Sequence, residues 1–357
     1  VQFTTPNPLY LRNIGRNMLQ ARVKNNSDWS ALTKAEFVVD AESASAENLS
    51  ISEIHYRPAL PTSEEIEAGY NDRSDFEFIE LFNFSSRPVD LGSLEFSDGI
   101  QFDLSLVDTN KTLLPGERCL LVNNLSAFLM RYRDDVDPSL NILGEFKGNL
   151  NNDGEQLIVS DKDGNVILDV TYNDGEEWPQ SSDGEGYSLI KMNPEKNAND
   201  YNSNTWRSSS LIGGNPGKSD SLNFSDWLTE NKIPDALNDS DNDGINALTE
   251  YAVGTDPNEV SSINGIEVRV DTLEWEGEFQ ECLILDVTKR IGADDVSIKF
   301  QMATKFDEWI DLIFPLRVIK SVNNGDRTET ISYVVGPFSS VGKEMYFRKV
   351  LKLDYPK

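Results

Sequence analysis

Residues Leu49 to Phe102 read LSISEIHYRPALPTSEEIEAGYNDRSDFEFIELFNFSSRPVDLGSLEFSDGIQF. Leu49 and Ile51 alternate with serines, and Phe76-Glu77-Phe78-Ile79-Glu80-Leu81-Phe82 is an apolar run interrupted by two carboxylates. Period-two alternation, strong β-formers and Asn/Pro/Gly punctuation predict short strands here rather than helix. Asn83-Phe84-Ser85-Ser86-Arg87-Pro88 turns the chain, and Val89-Asp90-Leu91 begins another strand.

These residues carry a resemblance. ISEIHYRPA (51–59) and DFEFIELFNFSSRPVDLGSLEFSDG (75–99) resemble the lamin-tail domain, an immunoglobulin-like β-sandwich. The likeness continues through Leu114-Pro115-Gly116-Glu117, Asn149 to Glu155, and Asp161 to Val166. It closes at Gly186-Tyr187-Ser188-Leu189, Thr205-Trp206 and Gly214-Asn215-Pro216-Gly217. The resemblance spans 48–218 and implies a sandwich over that range. One departure is Leu94-Glu95, where many relatives carry tryptophan, which touches core packing only. A fold of this kind says little about chemistry, because function resides in sites grafted onto it.

The chain has 357 residues, room for two to four domains with their own cores. Its 61 acids against 32 bases give a net charge of −29. Such a field repels phosphate backbones, so nucleic acid and anionic membranes are poor partners, and cations are better ones. The same acid excess also serves plain solubility. No apolar run is long enough to span a membrane as a helix. Cys119 and Cys282 each sit in an apolar run and read as buried free thiols, with a disulfide as the alternative. The start at Val1, mid-pattern and without a leader, suggests a portion of a longer secreted protein.

In chain order, residues 1–40 are β-rich. LQARVKNNSDWSALTKAEFVV (19–39) resembles the second half of the small β-sandwich that ends chitobiase-like proteins, and it implies a partial module there. Ala41 to Glu47 reads as a polar linker. Within 48–218, a helix is expected over Leu125–Arg133 with Asn124 or Ser126 as cap, Leu129 and Tyr132 on one face and Ala127 or Phe128 nearby. Glu64 to Glu67 suggests a short exposed helix, and Asp163-Gly164 a hairpin turn. Residues 222–262 change character, with a capped helix at Asn223 to Glu230 and a further helix ending at Gly254. Residues 263–357 return to strands: Ile266–Val270, Cys282–Val287, Val296–Met302, Ile331–Val335 and Tyr346–Leu351, with a turn at Asn323 to Asp326. This last part resembles a C-terminal β-sandwich of exported marine bacterial proteins. The expected fold is mainly β: tandem immunoglobulin-like sandwiches joined by a short helical calcium-loop segment.

The sharpest motif is Asp239-x-Asp241-x-Asp243-Gly244-x5-Glu250. It meets the calcium-loop pattern D-x-[DN]-x-[DN]-G-x5-E in full. Alternate residues of a tight loop aim oxygens at one centre, Gly244 permits the bend, Ile245 offers its carbonyl, and Glu250 closes the sphere. The stretch also resembles the calcium repeats of thrombospondin type 3 and dockerin type, a longer pattern that Asn246 and Asp256 match. The expected metal is calcium, in a structural role. Other Asp-Gly sites at 152–154, 161–165 and 182–184 lack the closing acid and read as turns.

No catalytic residue is assigned. His55 is the one histidine and ends a sandwich strand, with no nucleophile or orienting acid in a local motif. Glu77 and Glu80 could form a carboxylate pair, but their place in the E-F-I-E-L strand points to structural hydrogen bonding. Tyr172, Trp178, Tyr187 and Trp206 could stack sugars, or could be core. The leading reading is a non-catalytic, calcium-stabilised extracellular or cell-surface binding and spacer region of a larger bacterial protein, with polysaccharide or a cell-surface protein as partner. The alternative is an accessory carbohydrate-binding region of a secreted polysaccharide-degrading enzyme.

Overall fold

The computed structural model describes residues 11, 13–107, 111–133, 140–195, 199, 201–261, 265–305, 307–312, 316–337 and 345–354. Strands dominate, and the α-helices are short. The central sandwich is built on a six-stranded sheet in the order 141–145, 118–122, 78–83, 49–55, 189–191, 206–208. Facing it are a four-stranded sheet (102–103, 94–98, 154–161, 166–173) and a three-stranded one (112–113, 89–90, 42–43). The opening stretch thus supplies the two middle strands of the larger sheet.

Alternation alone does not place these strands. Leu49 and Ile51 are two residues apart, but Ile54 lies three beyond Ile51, so strict pleating would put them on opposite faces. A register shift between Ile51 and Glu53 absorbs the extra residue: Ile51 lies opposite Leu81, and Ile54 opposite Ile79. All four then enter the same core as Leu94, Leu121, Leu157 and Val170. Leu94 is buried there. The shift also sets Glu53 directly across from Glu80.

The other face of the sheet carries Phe78, Leu120 and Val122, which pack beneath the helix Leu125–Arg131 through Phe128 and Tyr132. Asn124 Oδ1 caps this helix, accepting from the Ala127 N–H at 3.1 Å. Its buried face is Phe128 with Tyr132, and Leu129 is exposed, contrary to the expected Leu129–Tyr132 pairing. The helix Ser63–Glu67 forms behind a Thr62/Glu65 capping box. It is not simply exposed, because Glu65 is buried in a bidentate pair with Arg131, both contacts at 2.8 Å. Nor is Ala41–Glu47 a linker: Glu42–Ser43 pairs in parallel with Val89–Asp90, and Ala44 joins the core. Cys119 and Cys282 are buried and free.

Before this sandwich, Gly15–Ala21 pairs with Thr33–Val39, and Lys24–Asn25 with Asp28–Trp29, as a two-stranded ribbon. Most of the first 14 residues lie outside the described residues. After it come helices Phe224–Asn231 and Ala247–Val253 and then a second sandwich. That sandwich has a four-stranded sheet (266–275, 278–290, 328–337, 317–323) and a three-stranded one (310–311, 296–303, 346–353). The five strands expected there all fall inside these longer ones.

The helical segment packs onto the second sandwich. Phe224, Trp227, Ala247 and Tyr251 share a cluster with Ala293, Val296 and Leu353. Asp295 Oδ1 accepts from the Tyr251 hydroxyl at 2.7 Å, and its Oδ2 accepts from the Phe224 N–H at 2.8 Å. The neighbouring Asp294 reaches the other way, taking Nε and Nη2 of Arg207 in the central sandwich, both at 2.8 Å. Arg207 is fully buried and also donates to Asp220.

Candidate metal centre

Three aspartates converge in the loop that enters helix Ala247–Val253. Asp239, Asp241 and Asp243 each bring a carboxylate oxygen within 4.8 Å of the others. The sequence between them makes this possible. Asn242 and Gly244 take left-handed φ values of 62° and 91°, which curl the chain so that alternate side chains point inward. Backbone donors hold the carboxylates in place: the Asp243 N–H donates to both Asp239 Oδ1 and Asp241 Oδ1 at 3.2 Å. The Gly244 N–H reaches Asp239 Oδ2 at 3.0 Å, and the Ile245 N–H reaches Asp243 Oδ1 at 2.7 Å.

Glu250 sits in the helix that follows. It is fully buried, and neither side-chain oxygen has a hydrogen-bond partner. Asp241 Oδ2 is likewise buried without one. Burial, then the charges of Asp241, Asp243, Asp239 and Asp256, push the Glu250 carboxyl up to about 7. Glu250 is not among the oxygens that converge within 4.8 Å, but a buried carboxylate under the charge of three others is costly unless a proton or a cation joins it. The donor set is all oxygen, the type hard divalent cations prefer.

Asn246 and Asp256, which match the longer repeat pattern, have other work. Asn246 caps the helix, its Oδ1 accepting from Thr249 N–H at 3.0 Å. Asp256 Oδ1 accepts from Asn258 N–H at 2.9 Å, so its influence on Glu250 is through charge. Ser261 escaped the sequence reading. Its N–H donates to Asp243 Oδ2 at 2.9 Å, tying the chain beyond the helix back over the loop. No spacing rule marks a serine 18 residues downstream.

The remaining candidates are placed differently. His55 is buried against Phe78, ring centroids 5.3 Å apart, with both ring nitrogens unpartnered. Burial first, and then the Arg131 charge, lower its pKa to about 3, so it sits neutral and sealed from any substrate. Glu80 accepts from Ser52 Oγ at 2.6 Å, Arg118 Nε at 2.8 Å and Gly217 N–H at 2.7 Å. Glu77 accepts from Leu150 N–H at 2.8 Å and is pushed up to about 8, chiefly by burial. Both carboxylates are buried parts of the frame, which is the role their strand pattern suggested. Tyr172, Trp178, Tyr187 and Trp206 are buried, so they form no sugar-stacking platform. The Asp161–Asn165 turn is closed by its own contacts, Asp161 Oδ1 accepting from Asp163 and Asn165 N–H groups.

A family model for the lamin tail domain matches residues 42–174. The match begins at the strand Glu42–Ser43 and ends with the strand Val166–Asn173, leaving out Leu189–Lys191 and Trp206–Ser208, which complete the six-stranded sheet. Neither a curated protein nor a solved structure matches the chain.

Proposed function

We propose that this chain is a non-catalytic binding and spacer region, exported from its cell, in which calcium at Asp239, Asp241, Asp243, the Ile245 carbonyl and Glu250 stiffens the joint between two β-sandwiches. The single observation that carries the reading is Glu250, a fully buried carboxylate with no partner for either oxygen, which lies outside the 4.8 Å cluster of Asp239, Asp241 and Asp243 but feels the charge of all three. A solvated acidic turn would leave its closing acid in water. A bound divalent cation neutralises the cluster and removes the burial cost.

The position of the loop supports the structural role. Glu250 is followed by Tyr251, whose hydroxyl donates to Asp295, and Asp294 beside it holds Arg207 of the central sandwich. Ordering the loop therefore orders the helix on which the joint rests. A lamin-tail sandwich and an acidic surface suit display or spacing outside the cell, where calcium modules work at about 10⁻⁴–10⁻³ M. The carbohydrate-binding alternative loses its aromatic candidates to the core and is the weaker reading.

The test is calorimetric titration of the chelated full chain with calcium and, separately, magnesium. One calcium site, absent in Asp241→Asn/Glu250→Gln, with a melting temperature that rises on binding, is the expected result. A chain that takes up no calcium, or whose melting is indifferent to it, refutes the proposal.

A further inference from the structure

The four-stranded sheet of the second sandwich has two edges that are treated differently. The edge Arg317–Asn323 lies against the central sandwich, where the Asn323 N–H donates to Ser181 Oγ at 2.9 Å and Asn323 Nδ2 donates to the Ser209 carbonyl at 3.1 Å. The opposite edge, Ile266–Trp275, pairs on its inner side with Glu278–Arg290, and among the described residues no strand pairs with its outer side. It contains no proline and no bulge, and it runs from 266 to 275 in unbroken register. From Val268 to Glu274 an edge this regular presents a row of backbone donors and acceptors to any strand that can match it.

The strand also carries an apolar strip that its own fold leaves uncovered. Val268 is 50% exposed, Val270 43% and Phe279 78%. Val268 and Val270 alternate on one face, and Phe279 shares that face because it lies opposite Glu274 in the hairpin. The tight turn at Glu276-Gly277 makes Trp275 and Glu278 the last pair of the ladder. In such a two-residue hairpin that pair is hydrogen-bonded, so the backbone groups of the alternate residues Val268, Val270 and Thr272 face outward.

We propose that this edge pairs with the same edge of a second copy, antiparallel and centred on Val270, to give one continuous eight-stranded sheet. Charge and position together select the register. Centring on Val268 also avoids like charges but needs Ile266, at the end of the strand, opposite Val270, and centring on Thr272 leaves Arg269 and Asp271 without opposite charges, whereas centring on Val270 uses residues 268–272 alone. A continuous sheet with two-fold symmetry must centre on a residue of the strand, so that paired side chains share a face. Centring on Arg269 or on Asp271 sets like charges directly opposite each other. Centring on Val270 sets Arg269 opposite Asp271 twice, Val268 opposite Thr272 twice, and Val270 opposite itself. Each of those cross-strand pairs is favourable, and no like charges meet. The same arrangement joins the exposed Val268, Val270 and Phe279 of the two copies into one apolar strip. Two chains of −29 repel at low ionic strength, so pairing needs physiological or higher salt, where the Debye length is about 8 Å or less.

The experiment uses the full chain in about 0.3 M salt with calcium. Sedimentation velocity from about 1 to 300 µM is expected to show a monomer–dimer equilibrium with a Kd of about 10–100 µM, as suits a small interface. Val270→Cys is expected to form an intermolecular disulfide at least 10-fold faster than Val268→Cys. In this register two Val270 positions face each other, while two Val268 positions lie about 13 Å apart along the strands. Val270→Lys places two ammonium groups across the axis and is expected to weaken the dimer at least 10-fold. A chain that stays monomeric throughout overturns the proposal. So does a dimer that crosslinks equally at both positions, because it would be built on another surface or register. Should Val270→Lys melt well below the parent, the crosslinking comparison alone decides.

Discussion

Replacing Glu250 by glutamine separates the metal reading from a purely structural one, because the two predict opposite signs. In the metal-free chain the Glu250 carboxyl is raised from 4.5 to about 7 by burial and by four aspartates. Its contribution to stability is full below pH 4.5, where both states are protonated, and is lost as pH rises through about 7. At 1.36 kcal/mol per unit the ionised form costs about 3 kcal/mol, which screening of the half-buried aspartates reduces to about 1–2 kcal/mol. Glutamine keeps the shape and removes the charge. In chelator at pH 8, Glu250→Gln is therefore expected to be more stable than the parent by about 1–2 kcal/mol, and at pH 5 the difference should vanish. In calcium the order reverses. At 100 times its Kd, calcium stabilises the parent by about 2.7 kcal/mol, and a variant lacking the bidentate carboxylate gains almost none of that. For a unit the size of residues 222–354, each kcal/mol moves melting by about 3–5 °C. Differential scanning calorimetry with chelator and with about 10 mM calcium, about 100 times a Kd of about 10⁻⁴ M, reads both arms. A variant less stable than the parent in chelator would show that Glu250 already makes favourable contacts, and a full calcium gain in the variant would show that it is no ligand. Either result refutes the reasoning.

Three further outcomes follow from the geometry. Arg207→Met strands Asp220 and Asp294 in a buried site; breaking such a pair costs about 3–5 kcal/mol, and calorimetry is expected to show one transition for the parent and two for the variant. His55 is lowered to about 3 in the fold against 6.5 unfolded, so it withdraws about 1.4 kcal/mol of stability for each pH unit below 6.5, and the difference between His55→Met and the parent should grow by that amount between pH 6.5 and 4 in denaturant titrations. Gly154→Ala should cost more than 2 kcal/mol, since at φ 93° its Cβ would lie 2.6 Å from Asn173 Cα and the Tyr172 carbonyl; Gly164→Ala, at φ 81° with nothing within 4 Å, should cost only about 1 kcal/mol, and thermal melts of the two compare them directly.

What the sequence made legible was local. The E-F-I-E-L strand, the Asn124 and Asn223 caps and the Asp239–Glu250 loop each rest on residues within one or two turns of one another, where periodicity and capping chemistry operate. Pairing is not local, and there the reading failed. Ala41–Glu47 looks like a linker because its residues are small and polar, yet two of them add a parallel strand to a sheet formed by residues 89–113. The bulge at Ser52 is invisible as composition and follows only from the need to bury both Ile51 and Ile54. Leu129 was misplaced, and the four aromatic candidates stayed open between surface and core, for one reason: periodicity says which residues share a face, not which face meets the core.

The acidic turn Asp294-Asp295 shows how far function can hide in ordinary composition. In sequence it is two more carboxylates among 61 acids. In the structure each serves a different body: Asp294 accepts from Arg207 of the central sandwich and from Ser221, while Asp295 accepts from Tyr251 and Phe224 of the helical segment. Burial alone would raise Asp294, but the Arg207 guanidinium outweighs it and holds the carboxyl below its ordinary range, so both partners stay charged. The helix on the Asp295 side carries Glu250 one residue before Tyr251. The loop is thus connected, through one turn of helix and two adjacent aspartates, to the only fully buried arginine among the described residues. Had the loop lain on a free terminus, the same calcium chemistry would stabilise a tail. On the proposed function, calcium at this loop would instead act beside the contacts that join two sandwiches.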